Sequence, residues 1–489
     1  MAKTLFDSND IRNVALVGHG ASGKTTIGEA ILLKTGVTTR FGNTTAGTST
    51  FDFEPEEVKR GGSNGTAFAW CEHNGKKVNI IDTPGDGNFI YDSFTAMRGA
   101  DLAIVVVSAP DSVEVQTSRA YLEAQRLGLA RMIVINKMDK ERANAAQCIA
   151  DLKEELEFTP VPLQIPMGAA ETFKGVISVI RNKAYVYDGA TGKSKETDIP
   201  AEFAADVEAA WETIIEAVAE TDDELMEKYL EGEEIDPQEI RAALRKGCIA
   251  MGLVPVFCGS AFKNKGVQRL LDGVIDFLPS PIDVPGPMVA SAELFARQER
   301  GEGDVTEEEK FELKVTDKGE FAGLAFKLMS DPYVGQLTFV RIYSGTLTSG
   351  QSVMNTNKHR RERVGRLLRM HANKREDVTE AHAGEIVAVL GLKSTVTGDT
   401  LCDEGLDVVL ESMTFPEPVI TMSIEPDTQD DVNKLGLALQ KLAAEDPSFK
   451  VTTDKETGQT VIGGMGELHL NIIASRLKRE FNVNAKVGR

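Results

Sequence analysis

A chain of 489 residues is too long for one hydrophobic core, and at about 100 to 200 residues per domain it predicts roughly three. A hydrophobic fraction of 42% excludes a disordered chain, and a net charge of −21 excludes a general nucleic-acid binder, DNA included, because such proteins need a field that attracts phosphate. Cys71, Cys148, Cys248, Cys258 and Cys402 have no C-x-x-C spacing, the N-terminus MAKTLFDSNDIR has no apolar core, and LAIVVV at 102–107 is too short for a bilayer, so a cytoplasmic protein that engages no membrane is expected.

In chain order, IRNVALVG at 11–18 predicts a strand, GHGASGKT at 18–25 follows, and TTIGEAILLK predicts a helix. Strand, G-x-x-x-x-G-K-[ST], helix is the context in which this motif binds phosphate. Gly18 and Gly23 let backbone N–H groups face the phosphates, Lys24 neutralises their β and γ oxygens, and Thr25 ligates Mg²⁺. KVNIID at 77–82 predicts a strand ending in Asp82, where a second Mg²⁺-contacting carboxylate belongs, and the turn that follows offers the Gly85 N–H as a γ-phosphate sensor.

Two more strands, AIVVVSA at 103–109 and RMIVIN at 131–136, lead to NKMD, Asn136 to Asp139. A carboxylate at Asp139 accepts from N1 and the exocyclic amine of guanine, and adenine has no such pair of donors, so GTP and GDP are the expected nucleotides. The strand VPVFC at 254–258 runs into GSAFKN, whose Ala261 N–H is placed to hold guanine O6. The long interval between these two motifs requires an insertion. Inside it PAEFAADVEAAWETIIEAVAE carries Phe203, Val207, Trp211, Ile214 or Ile215, and Val218 at helical spacing, within a segment, 201–240, of fifteen acidic residues against one Lys.

PSPIDVPGP at 279–287 marks an exit from this domain. Short β-rich runs from Phe321 to Asp403 predict an all-β barrel, and from Pro418 the order strand, helix, two strands, helix, strand predicts a ferredoxin-like domain. Lys358 to Arg375 holds eight Lys or Arg against one Glu, a local basic strip on an acidic molecule. Such a strip suggests docking at one place.

GSAFKNKGVQRLLDGVIDFLPSP at 259–281, LTFVRIYSG at 337–345, GLKSTVTGDTLCD at 391–403, EDPSF and GQTVIGGMGELHLNII up to 473 resemble bacterial elongation factor G, the ribosomal translocase GTPase, end to end over its first three domains. The resemblance implies an α/β P-loop GTPase domain at 1–285 with an inserted α/β subdomain near 158–253, an all-β barrel at 286–410 and a ferredoxin-like α+β domain at 411–489. It implies a monomer acting on the ribosome, with ribosomal RNA and stalk proteins as partners and Mg²⁺ as cofactor. Gly18, His19, Gly20, Ala21, Ser22, Gly23, Lys24, Thr25, Thr26 and Asp82 would hold the phosphate side, and Asn136, Lys137, Asp139, Ser260 and Ala261 the base.

Several positions depart from the family pattern. Ala21 stands where the phosphate loop ordinarily has Asp, and RGGSNGT at 60–66 offers Ser63, or Thr66 by slippage, where a Thr ordinarily completes the Mg²⁺ shell. With Gly61, Gly62 and Gly65 added, a looser switch is expected. Asp86 replaces the His that helps place the attacking water. A bare carboxylate roughly 5 Å from a γ-phosphate charge, at an effective dielectric near 20, costs about 3 kcal/mol, or roughly two decades of rate. Asp86 and Gly85 are therefore the candidate catalytic positions, and the resemblance here is to divergent second copies of the factor. The alternative is a GTP-dependent ribosome-binding, recycling or protection factor with weak hydrolysis. The sequence runs out at VGR, Arg489, where the family pattern continues into two more domains, so the part implied to push tRNA and mRNA is expected to be missing from this chain.

Overall fold

The computed structural model describes residues 6–488 except 190, 332, 373, 411, 412, 429 and 430, so the terminal Arg489 and the expected domain limits at 1, 411 and 489 lie outside the described residues. Contacts divide the chain into two compact units, one made of Met1–Asp86 with Ala100–Val284 and the other of Gly87–Gly99 with Pro285–Arg489. Residues 87–99, expected within the first domain, thus pack in the second unit.

In the first unit β1 (Ile11–Gly18) leads into α1 (Lys24–Lys34), α2 (Pro55–Arg60), β2 (Ala67–His73) and β3 (Lys76–Asp82). After α3 (Ile90–Met97) come β4 (Leu102–Ser108), α4 (Val115–Arg126), β5 (Ala130–Asn136), α5 (Ala145–Glu155) and the short β6 (Pro160–Pro162). The insertion supplies β7 (Gln164–Met167), β8 (Gly175–Ser178), β9 (Lys183–Tyr187), β10 (Ser194–Thr197), α6 (Ala204–Ala219), α7 (Asp223–Glu231) and α8 (Pro237–Ile249), and β11 (Val254–Cys258) with α9 (Val267–Phe277) closes the unit.

The main sheet has the order β2-β3-β1-β4-β5-β11-β6, parallel except for β2. β1, β4, β5 and β11 are buried along their whole length, as continuous apolar runs must be when helices cover both faces of a parallel sheet. All the phosphate and base motifs sit where these strands end, the usual crevice of such sheets.

The insertion starts later than the expected 158, because Pro160, Val161 and Pro162 pair with Val254, Pro255 and Val256 and extend the main sheet. Two prolines are tolerated there because an edge strand can do without their N–H donors. The antiparallel sheet β10-β9-β8-β7 has only a small core around Met167, Ile177 and Ala184. Helices α6 and α8 instead bury Ile214, Val218, Ile240 and Leu244 in the same core as Ile27, Leu32 and Ile104.

The second unit begins with β12 (Met288–Val289), α10 (Ala292–Glu299) and β13 (Phe311–Glu312). The barrel follows with β14 (Ala322–Asp331), β15 (Gly335–Ser344), β16 (Thr346–Thr348), β17 (Ser352–Asn355), β18 (Arg360–Arg363), β19 (Leu367–His371), β20 (Lys374–Val378), β21 (Glu380–His382), β22 (Ile386–Val389) and β23 (Thr400–Cys402). Eight of these run antiparallel in the order β18-β17-β23-β14-β15-β22-β19-β20 around Phe321, Val340, Ile342 and Leu401. β24 (Ile420–Pro426), α11 (Asp431–Glu445), β25 (Lys450–Thr453), β26 (Thr460–Gly464), α12 (Glu467–Phe481) and β27 (Ala485–Gly488) form the antiparallel sheet β25-β26-β24-β27 with two helices, the ferredoxin-like split β-α-β.

Helix α3 is held to the barrel through its orphan C-terminal carbonyls. The fully buried Arg341 donates to Gly99 O at 2.9 Å, Tyr343 Oη donates to Arg98 O at 3.2 Å, and Lys327 pairs with Asp92. The basic strip, by contrast, is largely paired off. Five of its cations are already paired: Lys358 with Asp399, Arg361 with Glu404, Arg366 with Asp377, Arg369 with Glu385 and Arg375 with Asp331. Alternating strand faces and cross-strand pairing, invisible in a linear count, neutralise most of it.

Two measurements check this packing. Arg341→Ala should cost about 2 to 4 kcal/mol in urea unfolding, since it opens a cavity and leaves Gly99 O unsatisfied, and Arg341→Met should regain part of that. In the ferredoxin-like domain burial opposes ionisation of Asp446, but His469 Nε2 at 2.7 Å and Ser448 override it and hold the carboxyl down at about 2. A lowered acid pKa adds stability above its ordinary 3.8 that is lost as pH falls through about 2. The side chain is 33% exposed, so screening limits the term to about 1 kcal/mol. Acid unfolding of Asp446→Asn should lack that increment between these two pH values.

Candidate nucleotide site

The phosphate loop is stretched between β1 and α1. Gly23 adopts φ 102, and a Cβ on it would stand 2.1 Å from Asn136 Nδ2, so only glycine lets the base-side and phosphate-side loops meet. Asn136 Nδ2 donates to Ser22 O at 2.9 Å. Ala21 sits at φ 60, a left-handed conformation that the family's Asp tolerates better because its side chain can bond locally, and Ala holds it at a cost of about 1 kcal/mol.

Lys24 is buried at the start of α1, and its Nζ donates to Gly18 O at 3.2 Å and His19 O at 2.7 Å. Burial pulls its pKa down to about 8 against the pull of Asp82 and Asp52. Gly85 lies on this lysine: a Cβ there would be 2.2 Å from Lys24 Nζ and 2.6 Å from Gly18 O. Gly20 faces the Gly85 and Asp86 main chain, at 3.6 Å and 3.9 Å from the position its own Cβ would take. Thr26 is half-buried in the first turn of α1. His19 turns aside, with Nδ1 accepting from Gln116 N and Nε2 at 3.3 Å from Glu114.

On the metal side Thr25 Oγ1 donates to Asp82 Oδ2 at 2.6 Å, and Ser63 Oγ donates to Asp52 Oδ1 at 2.7 Å. The two hydroxyl oxygens are 3.2 Å apart. With each proton directed at a carboxylate, both oxygens turn lone pairs toward each other. Asp82 Oδ1 and Asp52 Oδ2 are buried without a hydrogen-bond partner among the described residues. Burial, with the neighbouring Asp52, pushes Asp82 up to about 8, and burial raises Asp52. Four hard oxygen donors with unsatisfied acceptor capacity fit Mg²⁺, which keeps several waters and phosphate oxygens besides one or two carboxylates. Among the described residues no group of three His, Cys, Asp or Glu forms an all-protein cage. Of the two hydroxyls weighed from sequence, Ser63 is the one beside Thr25, and Thr66 is buried at the entry to β2.

Three carboxylates that motif reading did not single out arrange the segment before β2. Asp52 is one. Glu29 of α1, fully buried, accepts from Ser49 Oγ, Thr50 N and Phe51 N. Glu57 of α2, pushed up to about 8 by burial, accepts from Asn64 N at 2.9 Å and Gly65 N at 3.3 Å. The glycine-rich loop expected to be loose is therefore tied to α2 and to the phosphate loop. The helix-start pattern E-P-E-E was the available signal.

On the base side Ser260 Oγ donates to Asp139 Oδ1 at 2.6 Å and Met138 N to Gly259 O at 3.2 Å, which lock the NKMD and GSAFKN loops together. Lys137 adopts φ 63 within the NKMD turn. The Ala261 N–H, expected to hold guanine O6, donates to Asn136 Oδ1 at 2.9 Å and so braces the base-side asparagine. Asp86 differs from expectation. It is no bare carboxylate, because Arg60 Nη2 donates to its Oδ2 at 2.8 Å.

The chain matches family models described as Elongation factor Tu GTP binding domain over residues 9–280, Elongation factor G domain 2 over 320–404, and Elongation Factor G, domain III over 415–489. It is similar to a crystal structure of a protein from Thermus thermophilus, with a TM-score of 0.83 and 32% identity over 98% of this chain and 67% of that one. The first of these families indicates GTP binding and hydrolysis in general, and translation-factor domains imply interaction with the ribosome in general. A phosphate loop, a hydroxyl and carboxylate cluster and a guanine-reading pair of loops on one sheet, followed by a barrel and a ferredoxin-like domain, make this chain a member of the translation elongation factor GTPase family.

Proposed function

We propose that the chain is a cytoplasmic, monomeric GTP-binding factor of the elongation factor G class that acts on the ribosome and converts GTP to GDP and phosphate. The observation that carries this reading is the convergence on one loop of Lys24, Thr25, Ser63 and Asp82 from the phosphate side and Asn136 from the base side. Backbone N–H groups of residues 18–25 and the N-terminus of α1 bind the phosphates, and Lys24 neutralises them. Thr25 and Ser63, backed by Asp82 and Asp52, would hold Mg²⁺, which when bound neutralises phosphate charge. Gly85, free of a side chain against Lys24, lets its N–H approach the γ-phosphate. Asp139 selects guanine. Among the described residues three cations of the strip, Arg360, Arg363 and Lys374, keep no carboxylate partner, and of these Arg360 and Arg363 face ribosomal RNA, while the acidic helices α6 and α7 face stalk proteins. No described helix is long and apolar enough to cross a membrane.

With Asp86 engaged by Arg60, the usual water-positioning imidazole has no counterpart in this turn, and unstimulated turnover should be slow. Single-turnover hydrolysis with and without ribosomes should show slow turnover that ribosomes raise, and Asp86→His should raise the stimulated rate by roughly tenfold to a hundredfold. Equal wild-type rates with and without ribosomes would replace this reading by a ribosome-binding factor with weak hydrolysis. For the base, Asp139→Asn exchanges an acceptor for a donor and should shift preference from GTP toward xanthosine triphosphate, whose C2 carbonyl accepts; fluorescent-nucleotide competition measures this. For the barrel, Arg360→Ala with Arg363→Ala should lower the slope of log affinity for ribosomes against log salt by about 1 to 2, whereas Arg366→Ala, whose guanidinium is already paired, should leave it unchanged.

A further inference from the structure

Arg60 is the last residue of α2, and Gly61, at φ 73, turns the chain directly after it. Its guanidinium fork spans two segments. Nη1 donates to Asn64 Oδ1 in the glycine-rich loop, and Nη2 donates to Asp86 Oδ2 at 2.8 Å, one residue past the sensor Gly85. The same loop is anchored to α2 by Glu57 and to the Thr25 and Asp52 pair by Ser63. The Asp86 main chain in turn lies against Gly20 of the phosphate loop. The ion pair therefore closes a ring from the phosphate loop through Ser63, the glycine loop and Arg60 to Asp86 and back.

We propose that Arg60 and Asp86 form a charge clasp that fastens the segment 52–66 to the turn after Gly85, with Arg60 as the positioning residue that makes a carboxylate tolerable beside the γ-phosphate. This rests on the GTP reading above. The two side chains are 29% and 27% exposed, enough for salt to screen the pair and too little for water alone to neutralise Asp86. Without the guanidinium, Asp86 repels the γ-phosphate charge that GTP carries and GDP lacks. With it, the pair presents little net charge and the switch segment gains a third tether. The clasp therefore contributes selectively to the triphosphate state.

Dissociation constants for fluorescent GTP and GDP on the ribosome-free protein test this for wild type, Arg60→Ala, Arg60→Lys, Asp86→Ala and the Arg60→Ala/Asp86→Ala double variant. Arg60→Ala should weaken GTP by about tenfold and GDP by less than about twofold, Arg60→Lys should retain most of the affinity, and the double variant should bind GTP nearly as Asp86→Ala does. The GTP-selective loss should shrink in high salt. Equal weakening of GTP and GDP in Arg60→Ala, or a selective loss that persists in the double variant, overturns the clasp while leaving the nucleotide reading intact. A wild-type protein that binds GTP no better than ATP overturns the nucleotide reading itself, and the clasp with it.

Discussion

Charge removed from water has to meet opposite charge or be discharged, and this constraint organises the first unit around Lys24. The lysine is buried and its pKa depressed to about 8, Asp82 is buried and raised to about 8, and Asp52 is raised beside it. Carboxylates this close cannot both ionise cheaply unless cations intervene. The folded chain supplies one cation and directs two hydroxyl protons at the two acids. Much of the remaining architecture serves to hold that cluster: β1 and β3 deliver its two ends, and α1 covers it.

The segment between α1 and β2 is anchored to the core by Phe51, with Phe41 and Phe53 packed against it. Around that anchor it is organised by carboxylates that accept main-chain N–H groups. Glu29 reaches Thr50 and Phe51 from α1, and Glu57 reaches Asn64 and Gly65 from α2. Such anchoring is strong while the carboxylate is dry and easily exchanged for water once it is wetted. The parts held only by carboxylates, such as the glycine-rich loop after α2, can exchange those contacts for water while Phe51 stays in the core.

The nucleotide motifs were legible because their geometry is written into consecutive residues: a glycine that must take φ 102, a lysine beside it, and the four letters of NKMD after a strand. Strand and helix order was legible too, since the runs 14–17, 132–135 and 254–258 are apolar throughout. What escaped was pairing across the chain. Arg60 and Asp86 are far apart in sequence, as are Asn136 and Ala261, and no local pattern announces either contact. The basic strip was overestimated for the same reason, its partners Asp331, Glu385, Asp399 and Glu404 lying outside the counted window. β6 escaped because Pro-Val-Pro reads as a strand breaker, and only its edge position makes it a strand.

The stretch DTPGDGNF, Asp82 to Phe89, divides between the two units after Asp86. Its first half lies on Lys24, and its second half leads into α3, whose last carbonyls Arg341 and Tyr343 grip. The turn that carries Gly85 and the helix gripped by the barrel are thus consecutive in one backbone. Contacts between separate surfaces can be weakened by salt, whereas a covalent link of a few residues sets the farthest that its two ends can part under any ionic condition.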